Sequence, residues 1–424
     1  MPFLNNGASA GFSAETEALL LGMRTPSHSI AGELRGLFEV DFDWNRFASL
    51  LTRHKIMSVA CRNLCNDIVG DLIPVETQER LNSHRTETSK RNLILAHELV
   101  EIHSIFSARG INAMSFKGPL LAIYVYGDIG LREFGDLDII IRRDDVEEAA
   151  QILLQKGYQW HFDKAPDWRT YFKSHCNITF FQDSKPGNII ELHWKFSQAA
   201  YFPTYFESAW EGRTEVLVAG AAIPTLKKEL ALVYLCAHGC KHLWSQLKWL
   251  CDIYELLQGD IDWRGVRGEA KARGNIRTLH IGLRLAHSLL GSNIPEEIDR
   301  SIDMDPRGRS LSRQIQERLL SATEAPLGCP RRMLFLCGLN ETLRGKAWVL
   351  RHAAIPSFTR LVSPNSRDRG LIRLPRWLWF IYYIIRPLRL ISSRSFVLAN
   401  RVLSVLCSMG LSPRADEEDP EDQI

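Results

Sequence analysis

The chain has 424 residues, 45% of them hydrophobic and 24% charged, an ordinary globular composition long enough to bury a large core in two or three structural units. Nine cysteines, an odd number without disulfide or metal-ligand spacing, argue against a secreted disulfide scaffold and point to a reducing compartment, with the cytoplasm as the expected location. The net charge of +3 conceals an asymmetry: residues 331–410 carry fourteen Lys/Arg against two acids, for +12, and residues 411–424 carry one Arg against six acids, for −5.

Residues 1–13 are polar and rich in Gly, Ser and Asn. They lack the basic and apolar blocks of a secretory signal and are expected to form a disordered arm. Residues 14–109 read as a helical region. Trp44, Phe47, Leu50, Leu51 and His54 recur at helical spacing after Asp43, and a longer helix over about 79–107 carries Leu93, Leu95, Leu99, Ile102 and Phe106. Pro74 opens a helix there, and Gly110 stands where a left-handed C-terminal cap belongs.

Residues 110–226 alternate strand and helix. A strand is expected over 111–116 and a helix over 119–126 with Pro119 at its first position. A second strand runs over 136–141. A helix follows, with Asp144 and Glu147 as its capping box and Gly157 as its stop. Two further strands, 177–182 and 189–196, flank the turn-forming residues 183–188 and are expected to pair as an antiparallel hairpin. Helices return over 227–330, a basic helical region over 331–410, and an acidic disordered tail over 411–424. The expected fold class is therefore α+β, a small mixed β-sheet unit flanked by N- and C-terminal helical regions. The nine consecutive apolar residues from Trp377 to Ile385 fall far short of the ~20 that cross a bilayer.

The chemistry concentrates in the α/β unit. Asp136 and Asp138 share one face of a strand because strand side chains alternate, while Leu137, Ile139 and Ile141 face a core. Paired carboxylates suit Mg²⁺, which is usually held by one or two carboxylates and substrate phosphates. The Lys117-Gly118 step falls between a strand and a helix N-terminus, where backbone N–H groups favour an anion, and Lys117 adds a point charge. In Ile190-Glu191-Leu192-His193-Trp194, Glu191 and His193 share a face. If that strand adjoins the Asp-x-Asp strand, Glu191 completes a three-carboxylate site able to hold two metal ions for in-line displacement at phosphorus. His193 reads equally as a site residue and as a hydrogen-bonded strand histidine. Cys236, His238, Cys240 and His242 form two i, i+4 pairs about 160° apart around a helix, so they do not easily meet one zinc ion; buried cysteines beside a partly exposed histidine pair is the better reading.

The order Lys-Gly, helix, Leu-Arg-x-x-Gly-Asp-x-Asp-hydrophobic, a helix ending in Gly-Tyr, then hydrophobic-Glu-x-His-Trp resembles the nucleotidyltransferase superfamily of the polymerase-β type. More narrowly, it is similar to a poorly characterised nucleotidyltransferase-like branch. The resemblance is clearest over 112–196 and extends more loosely to Asp43-Trp44 and to the segment from Ala237-His238 through Leu247-Lys248-Trp249-Leu250-Cys251-Asp252. It implies that Asp136, Asp138 and Glu191 are the catalytic metal ligands, and that Lys117, Gly118 and Arg132 contact the nucleotide. Lys117-Gly118 stands where the superfamily more often has Gly-Ser, a departure that touches the triphosphate grip.

The function expected from these residues is Mg²⁺-dependent transfer of a nucleoside monophosphate from a nucleoside triphosphate (NTP) to an acceptor, with release of pyrophosphate. The acceptor is open among peptide, protein, sugar, RNA and small molecule. Two alternatives stand beside it: a binding protein that keeps the fold without the reaction, and a peripheral membrane or nucleic-acid binder that uses the basic region 331–410.

Overall fold

The structure, a computed structural model, describes residues 12–39, 41–160, 166–182, 189–197, 202–204, 206–320, 329–343, 345–351, 378 and 381–383. Helices α1 (Ala14–Leu21), α2 (His28–Phe38), α3 (Trp44–His54) and α4 (Met57–Leu64) precede the 34-residue α5 (Val75–Ala108). Asp43 caps α3 by accepting a hydrogen bond from the Arg46 amide at 2.9 Å. Pro74 stands immediately before α5, and Gly110 follows that helix with φ +73°.

The α/β unit comprises β1 (Ala113–Ser115), α6 (Gly118–Tyr126), β2 (Asp136–Ile141), α7 (Val146–Gln155), α8 (Trp168–Ser174), β3 (Asn177–Phe181) and β4 (Ile189–His193). Its four-stranded sheet has the order β1-β2-β4-β3. β2 and β4 run parallel, while β1–β2 and β3–β4 are antiparallel, so the sheet is mixed and the β3–β4 hairpin pairs as expected. The turn of that hairpin, 183–188, lies outside the described residues.

Alternation divides the sheet into two faces. Leu137, Ile139, Ile141, Ile178, Phe180, Ile190 and Leu192 are buried in one core with Leu99, Ile102 and Phe106 of α5 and Val146, Ala149 and Leu153 of α7. Asp138 pairs with Glu191 across β2 and β4, so the polar set shares the opposite face. Burying the apolar set fixes the register, because a one-residue slip would turn the carboxylates into the core.

One local expectation is corrected. A 3-10 turn over Arg143–Asp145 precedes α7, and no side chain caps that helix, so Asp144 and Glu147 do not form a capping box. The turn has already brought the chain into helical geometry before Val146, which displaces Asp144 from the cap position.

A short helix α9 (Phe206–Glu211) leads to a hairpin of β5 (Thr214–Val218) and β6 (Ala221–Thr225), which packs beside β1 and α6. Its two-residue turn, Ala219-Gly220, has φ +47° and +85°, as the primed turns of tight hairpins require. Next come α10 (Lys228–Lys241), α11 (Lys248–Leu256), α12 (Trp263–Arg273), α13 (Ile276–Leu290), α14 (Glu296–Asp303), α15 (Pro306–Leu319) and α16 (Cys329–Leu339). α10 packs on α11, α12 and α13, and α11 also packs on α6. These contacts bring the helical layer to the strand-to-helix step at Lys117.

The chain divides into two units, 1–346 and 347–424. In the second, 347–351 is helical and 378 and 381–383 are described. Most of the expected basic helical region, the acidic tail and residues 1–11 of the expected arm lie outside the described residues. Among the described residues no helix is long and apolar enough to cross a membrane.

Candidate active site

A cavity of about 660 Å³ opens on the polar face of the sheet, lined by Lys117, Arg132, Asp136, Asp138, Glu191 and His193 among others. Asp138 on its lining is buried. Its Oδ1 accepts from Lys117 Nζ at 2.5 Å and from His193 Nε2 at 3.2 Å. Burial would raise the Asp138 pKa, but the Lys117 ammonium and the His193 hydrogen bond hold the carboxyl well below the usual range. Its Oδ2 is buried with no hydrogen-bond partner.

Glu191 projects from the adjacent strand, and its Oε2 accepts from His193 Nε2 at 3.1 Å. That bond, against some burial, lowers the Glu191 pKa. Burial alone would depress His193, but the two carboxylates that accept from its ring raise it above its ordinary value. Asp136, at the start of β2, shifts the other way: burial and the neighbouring Asp138 charge raise its pKa. The three groups Asp138, Glu191 and His193 bring one ligand atom each within 4.8 Å of one another, and they are the metal-competent group found among the described residues.

Lys117 immediately precedes α6, and Gly118 opens that helix with φ +61°. A Cβ at Gly118 would lie 3.1 Å from the Asp136 carbonyl oxygen. Glycine is therefore needed here twice, for the left-handed backbone and for the close approach of α6 to β2. The Lys117 ammonium is committed to Asp138.

Arg132 borders the cavity but is buried, and its guanidinium grips Asp252 through Nε at 2.9 Å and Nη2 at 3.1 Å. Tyr126 donates to the same carboxylate at 2.8 Å. Thus Asp136, Asp138, Glu191 and Lys117 come together, whereas Arg132 is held by α11.

Several cavity residues were assigned no role from sequence. Lys55, Tyr234, Lys241, Lys248 and Arg332 reach the cavity from helices distant in the chain. His238, His242 and Trp249 form an aromatic group there, with ring centroids 4.6 Å apart for the two histidines and 5.1 Å for His242 and Trp249. The segment 237–252 stood out in the sequence, but its side chains gained a role only when α10 and α11 were placed beside the sheet. Cys236 and Cys240 are buried, as expected, and His242 is exposed.

The sequence profile of a family described as "Uncharacterised nucleotidyltransferase" matches residues 40–291, more than half of the chain. The chain belongs to this uncharacterised nucleotidyltransferase family. It is a nucleotidyltransferase whose acceptor is unknown, and its α+β fold carries the expected small mixed sheet between helical regions. Three solved chains match it. One is the solution structure of antibiotic-resistance factor ANT(2'')-Ia, at 12% identity and a TM-score of 0.28, covering 54% of this chain and 98% of that one. At that score the family assignment rests on the profile match. No curated protein matches the chain.

Proposed function

We propose that this nucleotidyltransferase uses Asp136, Asp138 and Glu191 to hold Mg²⁺ and transfers a nucleoside monophosphate from an NTP to an acceptor, releasing pyrophosphate. The observation that carries the reading is the in-register pairing of Asp138 with Glu191 on parallel neighbouring strands, with both carboxylates facing a large cavity. The donor set fits a hard divalent ion. Lys117 and His193 occupy only Oδ1 of Asp138, leaving the buried, unpartnered Oδ2 to ligate, and Asp136 and Glu191 supply further oxygens. When bound, such an ion lowers the pKa of an acceptor hydroxyl and screens the phosphate charge.

The protein's own groups have separable tasks. The acceptor oxygen attacks the α-phosphorus, the bond to the bridging oxygen of the leaving pyrophosphate breaks, and the acceptor proton passes to a carboxylate. Asp136 and Glu191, which line the cavity beside Asp138, are the carboxylates available to hold the ion or to take up that proton. His193 orients Asp138 and Glu191 by donating to both, and Gly118 lets α6 approach β2 closely.

The test is pyrophosphate release from a mixed NTP pool with Mg²⁺ and candidate acceptors. Asp136→Ala and Asp138→Ala should abolish release while circular dichroism stays unchanged. Equal release by the wild type and the double variant would sink the transfer mechanism. The Lys117–Asp138 contact supports a second reading, in which the lysine is the site's own cation and the protein binds nucleotide without reaction. Nucleotide affinity that is equal in Mg²⁺ and in EDTA, with no pyrophosphate formed, would favour it.

A further inference from the structure

The two residues expected from sequence to contact phosphate by charge are both engaged elsewhere: Lys117 holds Asp138 and Arg132 holds Asp252. Further cations are available beside them. Four line the same cavity: Lys55 just after α3, Lys241 at the end of α10, Lys248 at the start of α11, and Arg332 in α16. Among the described residues none of the four has an ion-pair partner.

We propose that Lys55, Lys241, Lys248 and Arg332 form a phosphate-binding wall of the cavity. This deepens the nucleotidyl-transfer reading by naming what holds the polyanionic part of its substrates. The ligand chemistry is a phosphate chain or phosphoryl group, from the NTP itself or from a phosphorylated acceptor. A polycationic acceptor is disfavoured by the same four charges.

The local structure holds this wall in a strained, specific shape. Between α10 and α11 the bulky residues Leu243 and Trp244 adopt φ +56° and +51°, a conformation that such side chains rarely take. Trp244 is fully buried and donates from Nε1 to Cys240 Sγ at 3.3 Å. Its ring lies where a Cβ on Gly239 would be, with atoms 2.6 Å from that position. The His54 ring then accepts from the Leu247 amide at 3.3 Å. These contacts fix the turn and so set the positions of Lys241 and Lys248 on either side of it. No side chain caps α11, so the positive end of its backbone dipole adds to the charge of Lys248 at the cavity.

Lys241 and Lys248 are half-buried and Lys55 and Arg332 exposed, in a cavity that also carries Asp136, Asp138 and Glu191. Burial and then Lys117 depress the Lys241 pKa, and burial, Arg132 and Lys55 pull Lys248 down to about 8. Carboxylates act the other way on both lysines, Glu191 and Asp138 on Lys241, and Asp252 and Asp136 on Lys248.

The probe is inorganic tripolyphosphate, titrated calorimetrically into the full-length protein in EDTA buffer. The wild type should bind, and binding should weaken as salt rises. The Lys241→Ala/Lys248→Ala variant should lose about tenfold or more, the scale of losing charge-assisted hydrogen bonds. Lys241→Arg/Lys248→Arg should retain most of the affinity, which separates lost charge from damaged folding. Asp136→Asn/Asp138→Asn should bind at least as tightly as the wild type, so a failure of the metal reading leaves this result standing. Displacement of tripolyphosphate by a fluorescent non-hydrolysable NTP analogue assigns the wall to the triphosphate. Simultaneous binding of the two assigns it to an acceptor phosphate. Absence of wild-type binding, or equal affinity in the alanine variant, overturns the proposal.

Discussion

Replacing Asp252 with alanine removes the only carboxylate that holds the Arg132 guanidinium among the described residues. Asp252 is 0% exposed and Arg132 5% exposed, so the pair is largely shielded from water even though Arg132 borders the cavity. Two Arg132 N–H donors, at 2.9 and 3.1 Å, lose their acceptor, and so does the Tyr126 hydroxyl at 2.8 Å. Breaking a buried pair by deleting one charge typically costs about 3–5 kcal/mol, because the other charge stays buried and unpaired. The orphaned tyrosine adds about 1 kcal/mol. Urea unfolding followed by tryptophan fluorescence should therefore show Asp252→Ala weakened by several kcal/mol, and Arg132→Met/Asp252→Leu should recover much of the loss. The double-variant cycle isolates the pair from the rest of the packing. Stability within about 1 kcal/mol of wild type in Asp252→Ala would refute the reasoning. It would mean that Arg132 is free to serve the cavity instead.

Two other perturbations follow from single positions. Gly118→Ala forces a Cβ to 3.1 Å from the Asp136 carbonyl at φ +61°. It should cost about 1–2 kcal/mol in stability and lower pyrophosphate release more than a neutral surface change does; unchanged melting and turnover would contradict it. His54 accepts a hydrogen bond as the neutral ring, and burial, with Arg53 nearby, lowers its pKa to about 4. Because the unfolded chain takes up the proton first, this stability is present above pH 6.5 and lost as pH falls towards 4, by roughly 3 kcal/mol from this group. His54→Gln should flatten that part of the stability–pH curve, and an unaltered slope between pH 6.5 and 4 would exclude His54 as its source.

How much of the site was legible in the sequence depended on distance along the chain. The face of Asp136, Asp138 and Glu191 was readable because period-two alternation and apolar neighbours dictate it, whereas the pairing of β4 with β2 stayed conditional, because a hairpin does not by itself say which of its strands adjoins β2. Gly118 was readable from the strand-to-helix step. The Arg132–Asp252 pair was not, because 120 residues separate its members and no local pattern links them. Lys55, Lys241, Lys248 and Arg332 likewise come from four helices whose packing alone brings them to one cavity. The β5–β6 hairpin was missed although Ala219-Gly220 is a two-residue turn between Val218 and Ala221, since its strands are short and carry little alternation. The capping box failed for a smaller reason, a 3-10 turn that moved the helix cap by one residue, from Asp144 to Asp145.

The central claim, that Asp136, Asp138 and Glu191 form a divalent-metal site for nucleotidyl transfer, is tested most directly by anomalous diffraction from crystals grown with Mn²⁺ and a non-hydrolysable NTP analogue. An anomalous peak is expected in contact with Asp138 Oδ2 and with Glu191 or Asp136, absent from crystals of Asp138→Asn/Glu191→Gln. Bound nucleotide with no metal peak at these carboxylates, or a peak that persists in the double variant, would contradict it.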